Sequence, residues 1–562
     1  MRWTFLPKPD PEKAAALASE LGIDPVLSGL LVQRGIEDFE AAKSFFRPSL
    51  EHLHDPFLMQ DMQAAVDRIR QAMEAQEHIM VYGDYDVDGT TSVAMFSTFL
   101  KETYELVSTY IPDRYTEGYG VSMQGIDYAA DNDVRLIVAL DCGVKALEQI
   151  AYAKKQGIDF IVCDHHRPGP ALPDAVAVLD PKREDCNYPY KELCGCGVGF
   201  KLMQGLTQAD GGTVNELIPY LDLVVTAIGA DIVPITGENR ALAYFGLQVI
   251  NSQPRIGMQA LMKSSNKPAY TIGDVVFILA PRINAAGRMQ HGNQAVALLS
   301  ATDVEVAQKL AMEIEANNTE RRSTDERISE EALLQIEDLK EEDRFSTVVY
   351  DPSWHKGVIG IVASRLIEQY YRPTLVFTKS GDKLAASARS VRGFDVYEAL
   401  SQCAEHLEQF GGHKYAAGLT MKPEQYDGFK AAFETVVKET IDPKLLTPEL
   451  KIDTSLDFTS IQPKFYRVLK QFGPFGPGNM SPVFMSEGVK DTGYARVVGG
   501  DGKHLKAAFS QQGVLELGAI GFKLASKLSL LKKGRVKVAY ALDENEWQGR
   551  VSLQLKLKDI KE

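Results

Sequence analysis

Apolar stretches along this chain repeatedly run into carboxylates. His78-Ile-Met-Val-Tyr-Gly83 is an apolar, partly β-branched run that stops at Asp84-Tyr-Asp-Val-Asp-Gly89. Val134-Arg-Leu-Ile-Val-Ala-Leu140 stops at Asp141, and Asp159-Phe-Ile-Val-Cys163 stops at Asp164-His165-His166. Such runs predict buried parallel strands. Met62, Ala65, Val66, Ile69 and Met73 recur at helical spacing, and the small and apolar residues from Thr91 to Leu100 predict another helix. The alternation is the βαβ signature of an open parallel sheet, in which ligands bind beyond the carboxyl ends of the strands. A fourth apolar stretch, Leu221 to Ala230, delivers Asp231 toward the same place.

The pattern then changes twice. From Thr302 to Asp343 the chain is rich in Glu, Lys, Arg and Ala, with Val306, Leu310 and Ile314 at helical spacing. This predicts a long, mostly exposed helical connector. Phe345–Tyr350, Pro373–Thr378 and Leu384–Arg389 then read as strands of a second α/β domain, with helices near Gly357–Gln369 and Tyr397–Phe410. Beyond Pro443, short alternating stretches separated by glycines, such as Val514–Ile520 and Arg535–Tyr540, predict a small β-barrel of the OB type. The expected organisation is an N-terminal extension (1–56), a parallel-sheet domain (57–300), a connector (301–343), a smaller α/β domain (344–443) and a barrel (444–562).

Composition narrows the class. A chain of 562 residues exceeds one ordinary core, and 45% hydrophobic with 24% charged residues is ordinary for globular proteins. No apolar run is long enough to span a bilayer, and the N-terminus lacks a sustained hydrophobic region, so neither a membrane span nor a secretory signal is expected. Six cysteines in this length make no disulfide framework, which fits a reducing cytoplasm. The formal net charge of −15 argues against a non-specific nucleic-acid coat. It leaves room for a nuclease with a local basic groove, because carboxylates that hold metals count as negative until the metals bind.

Asp84, Asp86 and Asp88 repel one another, and burial at a strand end raises that cost. A divalent cation among them is the simplest remedy. An EF-hand reading of Asp-x-Asp-x-Asp-Gly fails on context: a strand precedes the motif, and the twelfth loop position is Met95 instead of Glu. Asp141 or Asp231 alone would be an ordinary turn or helix-end residue. Two adjacent histidines beside Asp164 at a strand end are more telling, since imidazole suits Mn and Zn while carboxylates suit Mg and Mn. Together these groups could hold two metals, a pair that activates water and stabilises a phosphoryl oxyanion. Cys186, Cys194 and Cys196 lack a fourth zinc ligand at suitable spacing and read as ordinary thiols.

The four segments Asp84-Tyr-Asp-Val-Asp-Gly89, Asp141-Cys-Gly143, Asp164-His-His166 and Gly229-Ala-Asp231 resemble the motifs of the DHH phosphoesterases. Phe410-Gly-Gly-His413 is similar to the Gly-Gly-His motif of the associated DHHA1 domain. Pro281-Arg-Ile-Asn-Ala-Ala-Gly-Arg288, Trp354-His-Lys-Gly-Val-Ile-Gly360 and Phe472-Gly-Pro-Phe-Gly-Pro-Gly-Asn479 resemble the branch of that family that degrades single-stranded DNA from its 5′ end. The resemblance covers Ile79 to the C-terminus. It implies Asp84 and Asp86 as ligands of one metal, Mn2+ or Mg2+, and Asp88, His165 and Asp231 as ligands of the other. Asp141 would bridge the two and His166 would face the scissile phosphate. Where many family members carry a histidine before the first motif, this chain has Tyr82, and Asp84 would substitute.

For substrate, the resemblance implies a 5′-phosphate pocket at Ser387 and Arg389, joined by Arg114. Arginine suits that task because its planar fork pairs with phosphate oxygens. Gly411 and Gly412 would let the backbone approach the substrate with His413 on a phosphate, although a helix C-cap would also explain glycines after Phe410. Arg282, Asn284 and Arg288 are candidates for the DNA backbone. The basic stretch Lys523, Lys527, Lys532, Lys533, Arg535 and Lys537, with Tyr540 and Trp547 nearby, is a solvated face or a single-strand groove. The expected activity is 5′→3′ exonucleolysis of single-stranded DNA by a monomer, in DNA repair and recombination. Single-strand-binding protein and a RecQ-type helicase are the implied partners. Hydrolysis of short oligonucleotides or cyclic dinucleotides, and a non-catalytic replication scaffold, are the competing expectations.

Overall fold

The sheet that carries the acidic segments consists of five parallel strands: β1 (His78–Gly83), β2 (Val107–Tyr110), β3 (Val134–Leu140), β4 (Asp159–Cys163) and β5 (Ala177–Leu179). In this computed structural model they are ordered β2-β1-β3-β4-β5. It describes every residue except Asn266 and Val514, and of Leu515 and Trp547 only the backbone. The order reverses between β1 and β3, the switch point at which such sheets open a crevice. Ile79, Met80, Val81 and Tyr82 are wholly buried, which explains why β1 reads as a continuous apolar run. Helix α1 (Val87–Lys101) starts directly beyond it, with Asp86 as N-cap accepting a hydrogen bond from the Gly89 N–H at 3.0 Å.

Helix α2 (Gly195–Ala209) and helix α3 (Leu221–Ala230) complete this region. The apolar stretch leading to Asp231 is therefore a helix, with Leu221 to Gly229 all buried. A helix apolar all round and a buried strand look alike in sequence; length decides between them. Helix α4 (Ala280–Met289) carries Arg282, Asn284 and Arg288.

The described chain divides into two compact units: Trp3–Gly287 with His291–Ala311 and Leu450–Glu562, and Met312–Glu449 with Met1–Arg2 and Arg288–Gln290. Helix α5 (Val304–Asp338) is the long helix of the connector. It is less exposed than its composition suggests. Ile328, Ala332 and Ile336 are fully buried in a core with Val349, Val362 and Val376, because their spacing makes an apolar stripe that charged neighbours disguise.

The smaller unit is built on β6 (Thr347–Tyr350), helix α6 (Ile359–Gln369), β7 (Thr374–Ser380), β8 (Lys383–Arg389), β9 (Gln409–His413) and β10 (Ala416–Met421), with strands ordered β9-β10-β8-β7-β6. The helix expected over Tyr397–Phe410 stops at Ser401, and Phe410 to His413 lie in β9. This overturns the helix-cap explanation of Gly411 and Gly412. A Cβ on Gly412, whose φ is +145°, would come within 2.4 Å of the Ala416 carbonyl oxygen, so the hairpin itself demands glycine there.

In the other unit the C-terminal strands are β11 (Thr454–Ser455), β12 (Phe484–Asp491), β13 (Arg496–Val498), β14 (His504–Gln511), β15 (Leu515–Gly521), β16 (Val536–Trp547) and β17 (Arg550–Lys561). They run β11-β12-β16-β17-β15-β14-β13, and a further β12–β14 pairing closes the barrel. Tyr540 is fully buried and hydrogen-bonded to Ser486, so it offers no stacking surface; its ring faces the core because alternate residues of a strand point inward. Val514 and the Trp547 side chain lie outside the described residues. The barrel core also contains Leu17, Leu27, Leu30, Leu31 and Ala42 from the N-terminal helices, packed with Phe458, Phe465, Phe472 and Phe484.

Candidate metal centre and substrate-binding residues

His165 stands among three carboxylates. Its Nε2 is 3.2 Å from Asp141 Oδ1, 3.7 Å from Asp231 Oδ2 and 3.8 Å from Asp88 Oδ2. Four positions separate in sequence bring these groups together: the first turn of α1, the residue after β3, the residue after Asp164 beyond β4, and the C-cap of α3. Asp88, His165 and Asp231 form one group with ligand atoms within 4.8 Å of one another, and Asp141, His165 and His166 form a second. Asp84 and Asp86 fall outside both groups. Asp84 is fully buried after β1, and the charge of Asp86 raises the carboxyls of Asp84, Asp88, Asp141 and Asp231 alike, which sets it close to all four.

Asp88 is gripped from one side. Its Oδ2 accepts the Gly195 N–H and its Oδ1 the Cys196 N–H, both at 2.7 Å, from the N-terminus of α2. A side chain on Gly195 would meet Asp141 Oδ1 at 2.6 Å, so glycine is what lets that helix approach the acidic cluster. Asp141 itself adopts φ +60°, a left-handed conformation that aspartate tolerates better than most residues.

These acids are unstable as a bare set. Burial pushes Asp141 well above the usual carboxylate range, and the charges of Asp88, Asp86 and Asp231 push it further. Asp88 is raised to about 7 by burial and then by Asp231; Asp231 is raised to about 7 by desolvation and then by Asp86. Asp84 Oδ2, Asp141 Oδ1 and both ring nitrogens of His165 are buried with no hydrogen-bond partner. Orphaned acceptors such as the two carboxylate oxygens and one imidazole nitrogen are rare and costly, and a divalent cation satisfies them. The donor set, carboxylates with one imidazole, fits Mn2+ or Mg2+.

A consequence for stability follows. Acids whose folded pKa lies above the unfolded value hold more protons when folded, so stability falls as pH rises through the window from about 4 to 7. The metal-free chain therefore unfolds at lower temperature at pH 8 than at pH 5, and saturating Mn2+ reverses the slope. Thermal unfolding with and without chelator checks this; a metal-free midpoint that rises with pH would contradict it.

Asp164 plays a different part from its neighbours. Its Oδ1 accepts from His166 Nδ1 at 2.7 Å and from the His165 and His166 N–H groups, and its Oδ2 accepts from the Val144 N–H. Burial opposes its ionisation, but the His166 bond and charge outweigh that and hold it at about 2. Burial likewise opposes protonation of His166, yet Asp164 raises that ring to about 9. His166 Nε2 is left 3.4 Å from the Tyr119 hydroxyl. Neither Asp164 as an orienting group nor Tyr119 was singled out by sequence; the hydrogen-bond pattern of the strand end is what reveals them.

The guanidinium of Arg114 lies 4.0 Å over the Tyr85 ring, and its charge offsets a small part of the rise that burial and Asp86 impose on the Asp84 carboxyl, which sets Arg114 at the edge of the acidic cluster. Arg282 donates to the Ile278 carbonyl, Arg288 donates to that of Gly357, and Asn284 Oδ1 is buried without a partner.

In the smaller unit, register aligns the remaining candidates. Gly411 pairs with Gly418, which pairs with Ser387; His413 pairs with Ala416, which pairs with Arg389. Directly opposed residues share a face, so Ser387, Arg389 and His413 project together beside a floor of two glycines. Arg389 Nη1 donates to Ser387 Oγ at 3.1 Å. A side chain at Gly360, in the first turn of α6, would meet Ser387 Oγ at 2.9 Å and Arg389 Nη2 at 3.0 Å, so the positive end of that helix adjoins them. Burial lowers the Arg389 pKa with no acid to oppose it. A buried guanidinium beside a helix N-terminus is a ready anion site.

Sequence models of known families match in three places: the N-terminal domain of the DHH family over residues 78–228, the DHHA1 domain over 344–439 and the RecJ OB domain over 452–559. The single-stranded-DNA-specific exonuclease RecJ of Bacillus subtilis is 36% identical over 100% of this chain and 70% of its own length. That of Escherichia coli is 33% identical over 98% of this chain and 97% of its own. The crystal structure of RecJ with Mn2+ from Thermus thermophilus superposes with a TM-score of 0.86 at 28% identity, covering 100% of this chain and 79% of that one. A second Thermus thermophilus RecJ structure holds Mg2+ and gives a TM-score of 0.80 at 27% identity, over 100% and 78% of the two chains. Fold and site thus define a DHH protein with a DHHA1 domain and an OB barrel. Within that class, the chain belongs to the RecJ family. Among the described residues no helix is long and apolar enough to cross a membrane.

Proposed function

We propose that this chain is a metal-dependent exonuclease that degrades single-stranded DNA from its 5′ end and releases 5′-mononucleotides, in DNA repair and recombination. The observation that carries this reading is the convergence of Asp88, Asp141 and Asp231 on His165, with buried atoms left unsatisfied. Asp84 and Asp86 would hold one Mn2+ or Mg2+, Asp88, His165 and Asp231 the other, and Asp141 would bridge them. When bound, the two ions activate water and neutralise charge on the phosphoryl oxygens. The chain's own contribution is positional. The N-terminus of α2 fixes Asp88, and Asp164 fixes a protonated His166 so that its Nε2 can donate to a non-bridging phosphate oxygen. Arg389, Ser387 and His413 would receive the terminal 5′ phosphate, with Gly411 and Gly412 leaving the strand backbone open to it. Arg114 would take part in binding the 5′ phosphate, and Arg282, Asn284 and Arg288 would contact the DNA backbone.

The barrel would hold the single strand by stacking. At least half of the basic run from Lys523 is ion-paired, Lys527 with Asp559, Lys533 with Glu562 and Lys537 with Glu487. The exposed rings of Tyr494 and Phe522 are better platforms, with Arg496 4.6 Å over Tyr494 and His504 packed on Phe522. A monomer that works beside single-strand-binding protein and a RecQ-type helicase completes the proposal.

The test is digestion of end-labelled single strands with Mn2+ or Mg2+ and a duplex control. A 5′ label should appear at once as mononucleotide while a 3′-labelled strand shortens progressively, and the duplex should resist. Cleavage confined to dinucleotides, or no metal-dependent release, overturns the proposal. Arg389→Ala should raise KM for 5′-phosphorylated strands by about 10- to 100-fold, as expected for a lost charged hydrogen bond of about 1.5–3 kcal/mol. Strands ending in a 5′ hydroxyl should be affected much less.

A further inference from the structure

The segment Phe472-Gly-Pro-Phe-Gly-Pro-Gly-Asn479 leads into the barrel, and it offers no charged group to DNA or metal. It packs instead on the residues that follow Asp231. The Ile235 N–H donates to the Pro477 carbonyl at 2.7 Å. A Cβ on Gly476 would strike Ile235 Cγ1 at 2.5 Å, and one on Gly478, whose φ is +73°, would meet Thr236 Cγ2 at 3.0 Å and Pro234 Cβ at 3.3 Å. Only glycine permits this approach at both positions. Asn479, buried, ties the loop shut: its Nδ2 donates to the Phe472 and Pro474 carbonyls at 2.8 and 3.0 Å, and its Oδ1 accepts from Arg34 Nε. Arg240, one helix turn beyond Thr236, donates to the carbonyls of Phe472 and Gly473.

Between this dock and Asp231 stands a strained residue. Ile232 has φ +61° and is 65% exposed, so a β-branched side chain sits in a left-handed conformation without burial to offset it. Such strain persists where the surroundings over-determine the backbone. Here the surroundings on the far side are Pro234 to Thr236, clamped by the Pro477 carbonyl and by Tyr190 and Asn239 on the Pro234 carbonyl. On the near side, α3 ends at Asp231.

We infer that the glycine–proline loop Phe472–Asn479 is a positioning element for the metal centre: it fixes the backbone after Ile232 and thereby aims the Asp231 carboxylate. This rests on Asp231 as a metal ligand. Gly476, Gly478 and Asn479 act through Asp231 and touch neither metal nor DNA. The chemistry of the catalytic sheet is thus completed by residues of the barrel segment.

The test is Mn2+ binding by the full chain without DNA, read as free Mn2+ by electron paramagnetic resonance, beside DNA cleavage over a Mn2+ series. Gly478→Ala should weaken one of the two ions by about tenfold, the loss typical when support of a ligand is removed. Its kcat should recover at saturating Mn2+, with KM for DNA unchanged; because bound metal also rescues a merely unstable fold, the comparison with a control of similar backbone penalty is what discriminates. Gly493→Ala is the control, since Gly493 has φ +93° with open space around it and so carries a similar backbone penalty elsewhere in the barrel. Where Gly478→Ala does not fold, Ile235→Val, which trims only the side chain facing Gly476, decides and should shift Mn2+ binding in the same direction. If Gly478→Ala or, in its place, Ile235→Val binds Mn2+ as Gly493→Ala does, the coupling is overturned. Asp231→Asn separates the two readings: loss of one ion there with the loop variants unaffected overturns only the coupling, and retention of both ions overturns the ligand role itself.

Discussion

Asp141→Asn should abolish nucleotide release while the chain stays folded and still binds single-stranded DNA. Asp141 sits closest to His165 Nε2 and leaves one buried oxygen without any partner, the place where two cations would share a ligand. Losing the charge stabilisation that a metal supplies, several kcal/mol, corresponds to about a 10³-fold fall in kcat at roughly 1.4 kcal/mol per decade. Asn is preferable to Ala here. The φ of +60° is tolerated by Asn but costs most other residues about 1–2 kcal/mol, so Asp141→Ala would mix a folding defect with the chemical one. Removing one of several repelling buried carboxylates should raise the metal-free unfolding temperature of Asp141→Asn. Turnover within a few-fold of the parent excludes the bridging role.

Asp164→Asn should be nearly as damaging although Asp164 binds no metal in this reading. All its acceptor capacity goes to His166 and to backbone N–H groups. Without the carboxylate, burial dominates and the His166 ring loses its proton well below the value of about 9 it has beside Asp164. The expected result is a kcat loss of about 10²-fold or more, typical of a removed general acid or phosphate donor. The sign is specific: the residual activity should fall as pH rises through the lowered His166 pKa, in a range where the parent is flat. NMR titration of the ring in metal-free protein gives an independent measure. An unchanged His166 titration in Asp164→Asn would refute the orienting role.

The parallel sheet was legible because β1, β3 and β4 are buried on both faces and each ends in the residues that matter. Asp88, Asp141, His165 and Asp231, which converge in the structure, were legible because their motifs are local strings. Sequence alone misjudged elements whose fate is tertiary. The α5 helix looks exposed because its buried stripe is only one residue in three or four wide. Phe410–His413 looks like a helix end because two glycines carry no periodicity, and only the hairpin shows why they are there. Tyr540 was a plausible stacking residue until the barrel register turned it inward. The Phe472–Asn479 loop is held by hydrogen bonds between distant segments, which no local pattern encodes, whereas Asp164 bonds mainly to the adjacent His165 and His166 and only the side-chain geometry shows it.

The core shared by Leu27, Leu30 and Leu31 with Phe458, Phe465 and Phe484 has a bearing on biosynthesis. Ribosomes deliver the leucines first and their aromatic companions nearly last, at about 5–20 residues per second. For on the order of tens of seconds the nascent chain carries a greasy, unshielded amino-terminal segment that nothing yet made can cover. Such a segment is an obvious client for chaperones, and a truncation that deletes the barrel would leave it permanently bare.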